Sequence, residues 1–280
     1  EDVPQTDCAW LGDEQPQPIE GIAERAEAYA RVDLEPDISY LSAGDRSVLD
    51  ELVAAGRIMD DLFRIQAVPC YDEVHALVQA YEGPHQDALR RYFAINYGPW
   101  DRRFDREPFF GHWDHPEGAN FYPLDLTLAD RDRIRDPGNG LDGLTTMIRR
   151  DGDGELTAIP YGTFFRAGLV AAADHLRQAA ELTGNASLQA FLNARADAFL
   201  TDDYYESDML WMDLDSTVEV TIGPYETYED GLFGFKAAFE AFVTVTDPEA
   251  SKQLVRFKDE LPWLEQHLPI PDEDKNPNRG

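Results

Sequence analysis

A glutamate and a tyrosine two positions apart are the side chains of this sequence that best combine to do chemistry. Glu226 and Tyr228 follow residues 218–222, where apolar and polar side chains alternate as in a half-buried strand, and a Gly-Pro pair at 223–224 predicts a bend. If the chain stays extended after the bend, both side chains share one face. A carboxylate beside a phenol could bind a substrate's ammonium group and hydrogen-bond a carbonyl oxygen that becomes negative during attack. The spacing alone also suits an ordinary sheet edge.

The sequence around this pair resembles a known family. Residues 222–242, IGPYETYEDGLFGFKAAFEAF, are similar to the dipeptidyl peptidase III family of zinc peptidases. The similarity is closest to its short bacterial members and to the related domain fused to some plant Nudix enzymes. Further similar segments are 41–49 with 55–60 (LSAGDRSVL and AGRIMD), 118–123 (GANFYP), and 200–208 with 211–214 (LTDDYYESD and WMDL). Because these segments keep their order across most of positions 35–265, the resemblance is specific.

The resemblance implies a fold and roles for the two residues. It implies that Glu226 binds the free amino terminus of a peptide and that Tyr228 is catalytic, hydrogen-bonding the scissile carbonyl or its oxyanion. The implied fold is α+β, mostly helical with a small mixed β-sheet or partial barrel, like the lower lobe of a two-lobed peptidase. The sequence has Glu229, Asp230 and Gly231 where animal members have a basic residue, aspartate and proline. We therefore expect the detailed subsite geometry to differ from theirs.

The zinc-binding part of the family pattern is not found in this sequence. Family members hold zinc with a His-Glu-x-x-Gly-His helix and a later glutamate-rich helix, which leave one coordination position for the attacking water. None of the six histidines here is followed by glutamate. In family order the zinc helix would follow Gly280, so we expect this chain to be the first half of such an enzyme, binding no metal itself.

The resemblance therefore favours one function and leaves alternatives open. We expect the substrate-binding part of a zinc-dependent exopeptidase that removes dipeptides from peptide amino termini, with zinc bound elsewhere in the full-length protein. By itself this chain is expected to be inactive, and its expected partners are short peptides and its own C-terminal catalytic lobe. The alternatives are a stand-alone, non-catalytic peptide-binding module and a diverged hydrolase of the same family.

Composition limits the partners. The sequence has 55 acidic and 24 basic residues, a net charge of -31, which argues against binding to nucleic acid or an anionic membrane surface. Lysine occurs at four positions only, and an acidic, lysine-poor surface is typical of proteins adapted to high salt. No apolar stretch approaches the roughly 20 residues of a membrane span, so we expect a soluble protein, cytoplasmic or exported after signal removal. Cys8 and Cys70 are too few for a disulfide framework but allow one bridge.

Three other motifs have simpler explanations than chemistry. His112 and His115 flank an aspartate but lack helical periodicity and a completing ligand, which argues against a metal site. Residues 151–154 (DGDG) lack the later glutamate of a calcium loop and predict a turn. Helix capping and solvation are the favoured roles of an acidic cluster, whose members are Asp202, Asp203, Glu206 and Asp208.

The remaining pattern predicts helices around a hairpin. Ser42 with Asp45 predicts a capped helix carrying an apolar stripe over 48–63. Other predicted helices cover 19–31, 71–81, 84–96, 161–183, 187–200 and 248–263; predicted strands cover 144–150, 155–159 and 239–245. The irregular, aromatic-rich stretch 97–123 is of a kind that is often functional. We expect a surface tail over 1–18 with Trp10 and Leu11 as anchors, an α+β substrate-binding lobe over 19–265, and a linker toward a catalytic lobe over 266–280.

Overall fold

The computed structural model describes residues 6–136 and 138–276 and has the predicted α+β fold. Its helices are α1 (Ile22–Glu27), α2 (Ala43–Ala67), α3 (Tyr71–Ala80), α4 (Gln86–Asn96), α5 (Arg131–Ile134), α6 (Tyr161–Phe164), α7 (Arg166–Leu182), α8 (Ala186–Thr201), α9 (Tyr205–Met212), α10 (Pro248–Lys258) and α11 (Leu261–Gln266). Its strands are β1 (Trp100–Asp101), β2 (Glu107–Pro108), β3 (Thr146–Arg150), β4 (Leu156–Pro160), β5 (Val218–Glu226) and β6 (Ala238–Val245). The predicted tail and linker include residues 1–5 and 277–280, which lie outside the described residues.

Helix α2 is the central element, and it begins as the sequence predicts. Ser42 Oγ accepts a hydrogen bond from Asp45 N at 3.0 Å, and Asp45 Oδ2 accepts one from Ser42 N at 3.3 Å, which completes the capping box. The apolar stripe of α2 is buried against α7 and the β5–β6 pair. A Cβ on Gly168 would lie 2.8 Å from Leu62 Cδ2, so glycine permits the close contact of α2 with α7. Within the described ranges, no helix is both long and apolar enough to cross a membrane.

Two clusters of buried apolar side chains form the core. The larger cluster joins α2, α7, α8 and the β5–β6 pair, and it includes Leu52, Leu169 and Phe191. The smaller cluster joins α3 and α4 to the stretch predicted to be irregular, and its aromatic members are Tyr92, Phe93, Trp100, Phe109, Phe110 and Trp113. Residues 97–123 are therefore held in place by buried aromatic side chains although β1 and β2 are their only strands in the described chain.

A buried glutamine on α2 fixes the start of β6. Gln66 Nε2 donates to Ala237 O at 3.2 Å, and Gln66 Oε1 accepts from Phe239 N at 2.7 Å. Tyr161 Oη donates to the same Ala237 carbonyl at 2.8 Å. Both polar side chains are fully buried and hydrogen-bonded, an arrangement that specifies one backbone position. The candidate site on β5 thus rests against a strand whose start is fixed by α2.

The strands form three separate antiparallel pairs, where a small mixed sheet or partial barrel is expected from the resemblance. The reason is visible beside the β3–β4 pair, where the remaining backbone contacts are with irregular segments. Ile148 N donates to Phe121 O at 2.8 Å, and Ala237 N donates to Leu144 O at 3.0 Å. Because these contacts are isolated hydrogen bonds to loop residues, they do not extend into a ladder that would merge the pairs.

Several helix boundaries differ from the prediction. The predicted helix 161–183 is divided into α6 and α7 at Phe165, where φ is -101° and ψ is 22°. The predicted helix 248–263 is divided into α10 and α11; Pro262, which has no N–H, stands in the first turn of α11. The predicted helix 19–31 is shortened to α1, which begins after Gly21 at φ 83°. Helix α9 is an element that the sequence pattern does not predict.

The chain before α1 is attached to the smaller cluster by a disulfide between Cys8 and Cys70, the pairing that the sequence leaves open. Leu11 is buried, and its carbonyl accepts a hydrogen bond from Trp113 Nε1 at 3.2 Å. Trp10 stacks on Trp100 with 6.4 Å between ring centroids. Trp10 and Leu11, the two anchors proposed from the sequence, therefore contact the domain close to the Cys8–Cys70 disulfide.

We predict that replacing both cysteines, in Cys8→Ala/Cys70→Ala, lowers the free energy of unfolding by about 2–4 kcal/mol, because the bridge closes a loop between positions 62 apart. Urea denaturation of both proteins measures the difference. Dithiothreitol should shift the wild-type midpoint to that of the variant and leave the variant unchanged. Equal midpoints for oxidised wild type and variant would contradict this role of the disulfide.

Candidate functional site

The end of β5 carries a bulge in place of the predicted bend. Val218, Val220 and Ile222 are buried on one face, as their alternation predicts. The strand continues through Gly223 and Pro224, but the register shifts between Pro224 and Glu226, leaving Tyr225 as an extra residue. A β-bulge of this kind redirects the side chains that follow it. Glu226, paired with Ala238, is thereby exposed at the end of the strand.

Glu226, Tyr228 and Glu240 lie close enough to influence one another electrostatically. Tyr228 lies in the turn after β5 and is 69% exposed. Burial raises the pKa of the Tyr228 phenol, and the negative charges of Glu240 and Glu226 raise it further. Burial, followed by the charge of Glu226, also raises the pKa of the Glu240 carboxyl. A phenol beside two carboxylates keeps its proton, so it can donate a hydrogen bond while the carboxylates attract a cation.

The residue after Tyr228 is a buried carboxylate held by two arginines. Glu229 is 2% exposed. Arg102 Nη1 and Nη2 donate to its two carboxylate oxygens at 2.9 Å each, and Arg106 Nη1 and Nη2 donate to them at 3.1 Å each. We name these three residues the glutamate clamp. Bidentate pairs of this kind fix orientation as well as position. The clamp therefore fixes the backbone next to Tyr228.

The clamp is anchored in the helical part of the fold. Arg102 N donates to Asn96 Oδ1 at 2.9 Å, and Arg102 Nε donates to Asn96 O at 2.8 Å, at the end of α4. Burial alone would raise the pKa of Glu229, but the hydrogen bonds and charges of Arg102 and then Arg106 outweigh it and hold that pKa below 4.5. Glu229 is consequently ionised at neutral pH, and residues 97–106 and 226–229 are joined by a stable ion pair.

A second buried carboxylate organises the turn that follows. Asp230 Oδ2 accepts hydrogen bonds from Tyr122 Oη at 2.7 Å and Phe235 N at 2.8 Å, and its Oδ1 accepts one from Phe233 N at 3.0 Å. These contacts close residues 230–235 around one side chain. The turn supports the backbone of Tyr228 from its C-terminal side, and the glutamate clamp holds the adjacent residue, Glu229.

A buried lysine holds the end of this turn. Lys236 Nζ donates to Leu141 O at 2.6 Å, Gly143 O at 2.8 Å and Thr146 Oγ1 at 2.7 Å. Burial lowers the pKa of Lys236 to about 7, although the charges of Asp230 and Asp142 partly oppose that change. With three acceptors around it, Lys236 connects the turn to β3 and is enclosed in the protein.

An open cleft of about 570 Å³ lies beside Tyr228. Its lining is mostly polar and consists of Asp105, Arg106, Glu107, Pro108, Asp114, His115, Glu117, Tyr228, Glu229 and Gly231. It shares Glu117 with a neighbouring cleft of about 460 Å³ whose walls include Leu124 and Leu232. The cleft that Tyr228 lines therefore has several acidic side chains in its lining and has a more apolar neighbour.

Of the histidine pair set aside in the sequence, His115 packs edge-on against Trp100, with 4.9 Å between ring centroids. His115 Nε2 lacks a hydrogen-bond partner among the described residues, and burial, followed by the charge of Arg106, lowers the pKa of His115 to about 4. In the described part of the chain, one compact group of three possible metal ligands occurs, Cys8, Cys70 and Glu73, and its cysteines are bonded to each other.

The acidic motifs make turn and backbone contacts, and Asp208 in addition pairs with a buried arginine, a role that the sequence did not predict. Asp151 Oδ1 accepts from Asp153 N at 2.9 Å and from Glu155 N at 3.0 Å, which forms the predicted turn. Asp202 accepts from Gly162 N with both oxygens at 3.0 Å. Asp208 Oδ1 accepts from Arg195 Nη2 at 2.5 Å.

Sequence reasoning missed Glu240 and both arginines of the glutamate clamp. Glu240 alternates with Phe239 and Ala241 on β6, so its outward position was available from the strand pattern. Arg102 and Arg106 belong to a group of basic residues over 102–106, a rare composition in this acidic chain. That local excess of arginine was the signal that a buried carboxylate lies nearby.

A family model and two solved structures point to one family. A family model, Peptidase family M49, matches residues 145–275. The structure of DPP III from Caldithrix abyssi is 43% identical with a TM-score of 0.83, and the match covers 92% of this chain and 50% of that chain. Dipeptidyl-peptidase III from Corallococcus sp. strain EGB is 38% identical with a TM-score of 0.82, covering 92% of this chain and 49% of that chain.

A plant protein shares the same region. Nudix hydrolase 3 of Arabidopsis thaliana is 32% identical over 304 residues, which cover 89% of this chain and 39% of the plant protein. This chain thus spans about half the length of the solved relatives and less than half of the plant protein. The family model and the shared fold lead to one conclusion: residues 145–275 belong to peptidase family M49, and over 92% of its length the chain is similar to half of the solved dipeptidyl peptidase III structures.

Proposed function

We propose that this chain is the substrate-binding lobe of an exopeptidase that removes dipeptides from the amino termini of short peptides. The observation that carries the proposal is the position of Glu226 and Tyr228 at one strand end, with Tyr228 in the lining of the acidic cleft. Glu226 binds the peptide's ammonium group, with Glu240 adding negative charge. Tyr228 donates a hydrogen bond to the scissile carbonyl oxygen, and that bond strengthens as the oxygen becomes negative.

The roles proposed here belong to this chain's own residues. The described residues contain one compact group of three possible zinc ligands, Cys8, Cys70 and Glu73. Because the two cysteines are bonded to each other, this group does not fit a zinc ion. We propose that zinc in the full-length protein is held by residues outside this set, in a catalytic lobe that partners this one. This chain would then orient the peptide and supply one hydrogen-bond donor, without the nucleophile.

The function is tested with the full-length gene product, by release of arylamine from a dipeptidyl arylamide. The acidic, lysine-poor composition leads us to propose salt adaptation, so the assay is run at both high and low salt. Chelator-sensitive release supports the exopeptidase. If short peptides bind but no arylamine is released from a zinc-loaded protein, the function is that of a peptide-binding module.

We expect Tyr228→Phe in the full-length protein to lower kcat by about 100- to 1000-fold with little change in KM, because one donor to the developing oxyanion is lost. Steady-state kinetics on the arylamide measures both constants. Tyr205→Phe is the matched control, since Tyr205 is an exposed tyrosine on α9 outside the cleft. A Tyr228→Phe enzyme with the kcat of wild type would remove Tyr228 from the mechanism.

We expect Glu226→Gln to weaken binding of a short peptide to this chain by roughly five- to tenfold, because a charged partner of the ammonium group is lost at an exposed site. Calorimetric titration compares a free peptide with its N-acetylated form. Wild type should prefer the free form, and the variant should lose that preference. Glu219→Gln removes one charge from the start of the same strand and serves as control; equal losses in both variants would refute a specific role for Glu226.

We expect Glu229→Gln to lower the free energy of unfolding at pH 7 by about 3 kcal/mol, because both guanidinium groups lose their buried partner. Since the folded-state pKa of Glu229 lies below its ordinary 4.5, its stabilisation is present above pH 4.5 and is lost as pH falls through the folded-state pKa. Denaturation from pH 7 to pH 3 should show wild type converging on the variant. Glu117→Gln, an exposed change in the same cleft, should have almost no effect; a constant difference at all pH values would contradict the ion-pair explanation.

A further inference from the structure

A fully buried arginine packs against the end of β5. Arg195 of α8 has no exposed surface, and its only ion-pair partner in the described part of the chain is Asp208, whose side chain is 48% exposed. Arg195 Nη2 donates to Asp208 Oδ1, whereas Nε and Nη1 have no hydrogen-bond partner among the described residues. Apolar side chains often replace a buried ion pair without loss of stability, so stability alone does not account for this arginine.

Aromatic rings surround the guanidinium group. Arg195 Cζ lies 5.4 Å from the ring centroid of Phe191, 5.3 Å from that of Tyr204 and 5.4 Å from that of Tyr225. Aromatic faces attract a cation, and a planar guanidinium can contact several of them in one fixed orientation. Tyr225 is the extra residue of the β-bulge, so Arg195 contacts the bulge itself.

The strand passes too close to Arg195 for a side chain at position 223. A Cβ atom on Gly223 would lie 2.8 Å from Arg195 Nη1 and 3.3 Å from Tyr225 Cε2. Gly223 also has a φ of 148°, a backbone conformation that residues with a side chain rarely adopt. The backbone before the bulge and the ring of the bulged residue therefore both lie next to one guanidinium group.

Asp208 contacts both partners of this arrangement. Tyr225 Oη donates to Asp208 Oδ1 at 3.5 Å, and the same oxygen pairs with Arg195. Burial raises the pKa of Tyr225 to about 12, so the phenol keeps the proton that it donates. Glu226 is the first residue after the bulge, and the geometry of a bulge sets the direction of the side chains that follow.

We propose that Arg195 is a positioning residue for recognition of a peptide's ammonium group. By holding Gly223 and Tyr225, it fixes the β-bulge and with it the direction of Glu226. This inference rests on the proposed function, because it assumes that Glu226 binds that group. Arg195 touches no ligand, since it has no exposed surface. It acts on the strand before Glu226, whereas the glutamate clamp holds the turn after it.

Arg195→Met tests the proposal, because methionine fills much of the same space without the charge or the hydrogen bond. Hydrogen exchange of the backbone amides over 218–228 and calorimetric affinities for a short peptide and its N-acetylated form are compared with wild type. We expect exchange over 223–228 to become at least about tenfold faster, with little change over 218–222. We expect the preference for the free peptide to fall from roughly fivefold or more to below about twofold.

Two further variants support the interpretation. Arg177→Met is the matched control, because Arg177 pairs at the surface with Asp197 of the same helix, at 2.7 Å, and both of its measurements should match wild type. Asp208→Asn is a milder change, since asparagine keeps an oxygen acceptor for Arg195. It replaces Arg195→Met if that variant does not fold, and it should speed exchange over 223–228 by at least about threefold.

Unchanged exchange over 223–228 in folded Arg195→Met, or in Asp208→Asn where the first variant does not fold, would overturn the proposal. An equal loss of affinity for both peptides would overturn it as well, because it would indicate a structural role only. The outcome is separable from that of the proposed function. A wild-type chain without preference for the free peptide overturns the proposed role of Glu226 and this positioning role with it. A wild-type preference that Arg195→Met retains overturns the positioning role alone.

Discussion

The glutamate clamp is the interaction on which the geometry of the candidate site depends. Glu229 is buried between Arg102 and Arg106, and a buried carboxylate is tolerated only when charge and hydrogen bonds compensate its lost hydration. The clamp joins the aromatic-rich segment after α4 to the turn after β5. The neighbouring carboxylate of Asp230 accepts hydrogen bonds from backbone amides of the following turn. The clamp and these bonds together hold the backbone on which Tyr228 is exposed. Preorganisation of this kind is what a hydrogen-bond donor needs to act on a developing charge.

The acidic character of the chain has two separate consequences. Around Tyr228, the carboxylates of Glu240 and Glu226 favour a cationic ligand group, and burial together with these charges raises the pKa of the phenol so that it keeps its proton. In the interior, buried basic residues bind specific acceptors. Lys236 donates hydrogen bonds to three oxygen atoms, and the fully buried Arg195 forms an ion pair with Asp208.

Elements whose formation depends on neighbouring residues were predicted from the sequence. The capping pair of Ser42 and Asp45 located the start of α2, and the alternation over 218–222 located β5. The bulge at Tyr225 has no such signal, because it arises from pairing with β6. The clamp was equally inaccessible, since Arg102 and Glu229 are separated by 127 positions. The resemblance to dipeptidyl peptidase III pointed to Glu226 and Tyr228, but only the folded chain shows which groups hold them in place.

We propose that this chain binds a peptide by its amino terminus at the end of β5. A crystal structure of the chain with a short, uncleaved peptide bound would show this contact directly. We expect the peptide's ammonium group within hydrogen-bond distance of the Glu226 carboxylate and a backbone carbonyl oxygen facing the Tyr228 hydroxyl. A peptide bound in the reverse direction, with its carboxylate at Arg106 and its amino terminus away from Glu226, would contradict it.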